Sequence, residues 1–324
     1  MKNFINLIKG PVILVCCMIA VRYLFPHKTT FFLEIVIFTI YVMGNDILYG
    51  YMGMASLGQP FYLGAGAYAS ALYLYHCGHN PLVAIILAIM MGILIGITFG
   101  PAYLRLRGDY FALINASTCA MGLFLVEKIL LPITRGDDGL IFRMKIDPVL
   151  FFDLRKTNDF FWFSMVVLFL CHIFYVLLSK STIGTALKAL KFRENKLNFL
   201  GYDTFKLRWT GYIMMCILTS LAGSMYAINY GFVNPNVTDP ARAVEVLVAT
   251  LLGGTGTVYG PFFGAAAFIG IKDLVGAYTN RWELPVGIIT IIVCFKFREG
   301  IFGYLQAIPL KLKRLRGKSS TGKP

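Results

Sequence analysis

The chain has 324 residues, 57% of them apolar and 14% charged, and carries a formal net charge of +14. That balance excludes a cytosolic enzyme or an isolated soluble domain and points to an integral membrane protein. It also excludes a nucleic-acid binder, because the positive charge gathers at Arg105 and Arg107, in 181–208 and in the tail 309–324, as expected of cytoplasmic segments between membrane spans.

Spans of about 20 apolar residues suffice to cross a bilayer, and such runs recur along the chain. Lys2 and Lys9 precede the first, 11–25, which has the position of a signal peptide. Arg22, Tyr23 and Phe25 stand where small residues would mark cleavage, so it is kept as a span. The second covers 31–49. From Gly50 the chain turns rich in Gly, Ala and Ser, including Ser56, which suits close helix packing or a pore wall.

A third span over 61–75 and a fourth over 82–100 return the chain to the cytoplasmic side at Arg105. The fifth covers 110–131. The loop 132–159 balances five basic residues against five acidic ones and is assigned to the outside, the periplasmic face. A sixth span over 160–178 then leads to the basic segment 181–208, and the seventh covers 209–230. The run 241–252 is short and holds Arg242 and Glu245, but the charge rule favours a full crossing, finished by the irregular glycine-rich run 253–260. Spans over 261–278 and 284–297 return the basic tail to the cytoplasm. The expected fold is therefore an all-α polytopic membrane protein: one transmembrane domain over 1–324, ten spans in two inverted halves, both termini cytoplasmic.

The segment 181–208 cannot cross a membrane. Ala186, Leu187, Ala189, Leu190, Leu197 and Leu200 fall near helical spacing among Lys188, Lys191, Arg193, Glu194 and Lys196, which predicts an amphipathic helix or two short ones. Residue content leaves three roles open. It can be a solvated connection, a helix on anionic lipid, or a helix gripped by a soluble partner through Gly184, Ala186, Leu187 and Leu190.

No catalytic, cofactor or metal constellation emerges. Gly317-Lys318-Ser319 ends like a phosphate loop, but Leu312 occupies the required glycine position. The seven cysteines, Cys16, Cys17, Cys77, Cys119, Cys171, Cys216 and Cys294, read as buried small hydrophobes, and His76 with His79 as interfacial. Arg22, Glu34, Asp46, Glu127, Lys128, Lys272, Asp273, Lys296 and Arg298 lie near predicted span ends. A central charge costs about 2.5–3.5 kcal/mol, so their placement argues against an ion-coupled transporter and against titratable groups converging on a cavity. In the fifth span Asn115, Ser117 and Thr118 serve either as helix glue or as the lining of a polar passage.

Several stretches resemble permeases of branched-chain amino-acid ABC transporters, LivM-type subunits in particular. They are Gly50-Tyr51 with Gly53, Ser56-Leu57-Gly58, Gly64-Ala65-Gly66-Ala67-Tyr68, Leu106-Arg107-Gly108-Asp109-Tyr110-Phe111-Ala112, Gly253-Gly254-Thr255-Gly256-Thr257 and Gly260-Pro261 with Gly264-Ala265. The run 184–201, with Arg193-Glu194-Asn195 and Leu200-Gly201, is similar to the family's cytoplasmic coupling loop. The resemblance implies a non-enzymatic subunit of an inner-membrane importer for branched-chain or related amino acids, with urea or another small polar solute as an alternative; an ATP-independent facilitator or secondary transporter is the rival of a different class. Its implied partners are a second permease subunit in a heterodimer, two ATP-binding subunits, a periplasmic substrate-binding protein and membrane lipid. It further implies ATPase coupling through Gly184, Ala186, Leu187, Leu190, Arg193, Glu194 and Asn195. Ser56, Asn115, Ser117 and Thr118 are the pore-lining candidates.

Overall fold

In the computed structural model, which describes residues 28–278 other than 107 and 149–151, and scattered positions within 10–25 and 284–300, the apolar runs fold as helices. Helix α1 covers Thr29–Asp46 and widens through Ile47–Tyr51; α2 covers Gln59–Leu72 and widens through Tyr73–Cys77. Helix α3 is Pro81–Tyr103, and α4 is Asp109–Phe124, extended through Leu125–Ile129. Helix α5 is Thr157–Lys180, α6 Thr182–Phe199, α7 Thr204–Tyr230, α8 Ala241–Gly253 and α9 Gly260–Gly276. Local chemistry sets several starts. Asn80 caps α3 ahead of Pro81, and Asp203 caps α7 by accepting from the Lys206 amide.

Five of these helices, α1, α3, α4, α5 and α7, are long and apolar enough to cross a membrane. By length alone this falls short of the ten expected spans. The described positions of the predicted span 11–25 are helical from 11 to 23, whereas the predicted span 284–297, scattered positions aside, and the tail 309–324 lie outside the described residues. Helix α2 is short because it starts half-way along a neighbour, where Gln59 meets Thr219 of α7. Helix α8 has 13 residues, roughly 20 Å of rise. It nevertheless links the two ends of the bundle, with Arg242 beside Tyr226 at one end and Gly256, just beyond it, against Asp46 at the other.

A helix apolar all round must be buried in protein or face lipid, and both cases occur. Helices α1 and α7 are buried over 83% and 78% of their most apolar windows, while α3 and α4 are buried over only 33% and 28%. So α1 and α7 form the core, and α3 shows an outward stripe of Ile86, Met90, Leu94 and Ile97. On its inner side Gly92, Gly96 and Gly100, four apart, let α3 lie against α7, where Cys216, Ile213 and Trp209 approach. Trp209 donates Nε1–H to the Gly96 carbonyl at 2.9 Å.

The loop 132–159 is more ordered than a plain connection. Leu140–Ile141 (β1) pairs antiparallel with Phe232–Val233 (β2), a two-residue ribbon just beyond α7. Gly231, at φ 62°, turns the chain from α7 into it. This ribbon is the one departure from helix among the described residues that sequence reading omits, and it marks the end of the bundle opposite α6. Cys119, Cys171 and Cys216 are buried as expected, whereas Cys16 and Cys77 are exposed; Cys17 and Cys294 lie outside the described residues.

If the glycine stripe sets the α3–α7 distance, Gly96→Leu should push the Ile213 contact apart and cost about 1–3 kcal/mol. Thermal unfolding in detergent should show it, while Leu94→Ala on the outer face should leave the midpoint nearly unmoved.

Candidate functional site

Helix α5 stops at Lys180, and Ser181 redirects the chain: its Oγ accepts from the Gly184 amide at 2.9 Å and opens α6. Gly184 sits so close to the Leu178 carbonyl that a Cβ would collide with it. The segment is a single helix lying across the end of the bundle. Its apolar face points inward: Ala186, Leu187, Leu190 and Leu197 are buried, and Leu187 covers Gly211 of α7 beside Met52. Glu194 pairs with Arg208 at the base of α7. Asn195 is exposed, and the Arg193 side chain lies outside the described atoms.

The anchors expected to face a soluble partner, Ala186, Leu187 and Leu190, are therefore occupied by the chain's own bundle. An amphipathic pattern identifies an apolar stripe but not what covers it. The surface left open on α6 and just after it carries Phe192 at 78% exposure, Phe199 at 90% and Leu200 at 73%, with Ile183 at the start of the helix.

Beneath α6 lies a buried acid that sequence reading placed at a span end within reach of the interface. Asp46 is 0% exposed. It accepts a short hydrogen bond from Tyr175 Oη of α5, and the Gly256 amide donates to Oδ1 at 2.8 Å. Gly50 is hemmed in by Asp46 and Gly256 and has no room for a Cβ. Above this node two lysines of α6 reach down. Lys191 donates to the Gly50 carbonyl at 3.3 Å, and Lys188 lies over the Tyr51 ring at 4.5 Å, with Tyr51 edge-on to Tyr175. Burial pushes the Lys188 ammonium below its ordinary range, and the charge of Asp46 pulls it back up. One carboxylate thus joins α1, α5 and the 254–259 loop directly under α6.

The four pore candidates separate. Asn115 and Thr118 are buried, Asn115 accepting from Tyr62 at 2.7 Å and Thr118 meeting Tyr103 at 2.6 Å. Tyr62 also meets Tyr212 of α7 at 2.6 Å. Ser56 is buried nearby and accepts from the Gly58 amide at 3.3 Å. Ser117 faces the other way, exposed, and donates to its own helix at Leu113. Asn115 thus ties α4 to α2 and, through Tyr62, to α7, Thr118 ties α4 to the end of α3, and Ser56 bonds locally just ahead of α2.

Sequence reading also missed a convergence of charge at the ribbon end, where Glu34, Arg242, Glu245 and Lys272 line one cavity. The available signal was Arg242 and Glu245 three residues apart, on one face of a short apolar helix.

Comparison with known proteins agrees with the architecture. The family described as "Branched-chain amino acid transport system / permease component" matches residues 29–295. The chain is 25% identical over 316 residues to the high-affinity branched-chain amino acid transport system permease protein LivM of Salmonella typhimurium, covering 89% of this chain and 71% of that one. It is 24% identical to the protein of that name from Escherichia coli over 315 residues, with 89% and 71% covered. To the permease protein BraD of Pseudomonas aeruginosa it is 22% identical over 284 residues, with 82% and 91% covered. No solved structure matches. These relatives are transport permeases rather than enzymes, and with the apolar helices they make this a multi-pass membrane protein.

Asp46→Ala would strand the Tyr175 hydroxyl and the Gly256 amide. Two bonds to a charged group, each worth about 1.5–3 kcal/mol, should be lost, so the variant should unfold at distinctly lower temperature in detergent. Tyr175→Phe should lose about half as much, and the double variant should fall short of the sum.

Proposed function

The chain belongs to the family of permease components of branched-chain amino acid transport systems, and from that premise we propose that it is one of two permease subunits of an ATP-driven ABC importer. The importer sits in a bacterial inner membrane with both termini of this chain cytoplasmic. A second permease subunit completes the conduit, two ATP-binding subunits drive it, and a periplasmic substrate-binding protein delivers a branched-chain or related amino acid. The strongly basic α6 supports its assignment to the cytoplasmic side.

The observation that carries this reading is the division of α6 into two faces. Its inner face is fixed to α7 by Leu187 and set over the Asp46 node by Lys188 and Lys191. Its outer side exposes Phe192 and Phe199, with Leu200 just beyond, beside Lys196 and Asn195. A helix bolted to the bundle on one side and apolar on the other can transmit a push. Gly184, Ala186, Leu187 and Leu190 provide the attachment, and Glu194 steadies the far end through Arg208. Arg193 and Asn195 lie with Phe192 on the stretch offered to the ATP-binding subunit. Closure of those subunits biases the bundle only if they contact its two states differently. Ser56, Asn115 and Thr118 lie where α2 begins, mid-way along α7, and line the passage when these helices part; Ser117 faces the neighbouring permease or lipid.

Because Phe192 and Leu200 are exposed, replacing both with Ser should leave insertion and monodispersity intact. Loss of two interface anchors worth about 2 kcal/mol each should weaken capture of the ATP-binding subunits by several hundredfold. Co-purification at wild-type levels would contradict the docking role.

A further inference from the structure

The charged cavity at the ribbon end has about 190 Å³ of free space, room for a small solute where a single water needs roughly 10–15 Å³. Its charges are unequally matched. Glu245 is paired with Lys272 at 3.0 Å. Arg242, by contrast, uses Nε on the Asn236 carbonyl at 2.9 Å and lies 5.3 Å over the Tyr226 ring, with only a long contact of 3.4 Å to the Tyr226 hydroxyl. Among the described residues no carboxylate stands within salt-bridge distance of it. Glu34 is its converse: it accepts from Tyr230 at 2.7 Å, and no cation among the described residues pairs with it.

Tyr226 and Tyr230, one turn apart on α7 with ring centroids 4.6 Å apart, each meet one of these charges: Arg242 lies over Tyr226 and Glu34 accepts from Tyr230, while Glu245, paired with Lys272, reaches Arg242 only through space. Tyr41 lines the same cavity, is 2% exposed, and its hydroxyl has no partner among the described residues. A buried hydroxyl left unpaired costs free energy that a ligand recovers. The remaining wall is apolar, made by Ile37, Phe38 and Ile269. A second hollow shares Glu34 and Lys272 and runs out past Asp273 and Gly276, both exposed, to the ribbon-end surface.

We propose that this cavity is a binding site for a small zwitterion with an apolar side chain. The carboxylate lies on Arg242, the ammonium on Glu34 with Tyr41 and Tyr230 at hand, and the side chain rests on Ile37, Phe38 and Ile269. A guanidinium with no carboxylate in direct contact and an acid with no cation in direct contact, among the described residues, each against a tyrosine, are what such a ligand completes and what a neutral solute leaves unmatched. The inference rests on the solute-carrying function proposed above and assigns it a place in this chain.

The purified full chain in nanodiscs, titrated with three probes, tests it: L-leucine, isoamylamine, which lacks the carboxylate, and 4-methylpentanoate, which lacks the ammonium. The wild type should favour L-leucine over either by tenfold or more. Arg242→Gln should weaken L-leucine at least tenfold and leave isoamylamine unchanged, and Glu34→Gln should weaken L-leucine and leave 4-methylpentanoate unchanged. Arg242→Lys should keep part of the carboxylate preference, which general damage to the fold would not spare. Equal weakening of all probes, no change in either variant, or no L-leucine binding by the wild type would overturn the site. Uptake by the assembled transporter separates the two claims. Leucine uptake indifferent to both variants sinks the site alone, and end-selective binding without any leucine uptake sinks the transport reading alone.

Discussion

A carboxylate shut away from water must be answered by donors, and Asp46 gathers its donors from distant parts of the chain. Tyr175 comes from α5 and the Gly256 amide from the turn that joins α8 to α9. Taking an ion out of water costs several kcal/mol, and removing one partner leaves that cost uncompensated. The node therefore holds α1, α5 and the 254–259 turn in fixed relation. The α6 helix lies on top of it, with Lys188 over Tyr51 and Lys191 on the carbonyl of Gly50. Force applied to α6 arrives first at this point.

From the node outward the bundle is built by close approach rather than by bulk. Gly92, Gly96 and Gly100 bring α3 onto α7. Gly66 and Gly223 do the same for α2, each facing backbone of the other helix, and Gly264 faces the backbone of α8. Lipid is as apolar as leucine, so packing and hydrogen bonds carry the association of helices. The Tyr62, Asn115 and Tyr212 contacts supply such bonds in mid-bundle. Rigid contacts of this kind let a change at the α6 end reach the charged cavity at the ribbon end, since α1 carries both Asp46 and Glu34 and α7 carries both Arg208 and Tyr230.

Helix positions were legible because apolar runs declare themselves. The expected span 82–100 became Pro81–Tyr103 and 160–178 became Thr157–Lys180. The segment 181–208 was legible as amphipathic, yet its apolar stripe points inward, because periodicity does not say whether the chain itself or a partner covers a face. Asp46 was read as an interfacial charge since its partners lie 129 and 210 positions away, and no local pattern announces them. The same distance hid the meeting of Glu34 with Tyr230, 196 positions apart. The ribbon was hidden too, because two-residue strands carry no period to detect.

The central claim is that Asp46 fixes α1 and α5 to the 254–259 turn, so that α6, seated on that node through Lys188 and Lys191, moves with the turn as one body. Spin labels at Asn195 and Val258 in the assembled transporter measure this directly, compared with and without ATP. The account predicts one unchanged distance distribution in the wild type and a broadened, nucleotide-dependent one in Asp46→Ala. A wild-type distance that shifts with nucleotide, or an Asp46→Ala distribution identical to wild type, would contradict it.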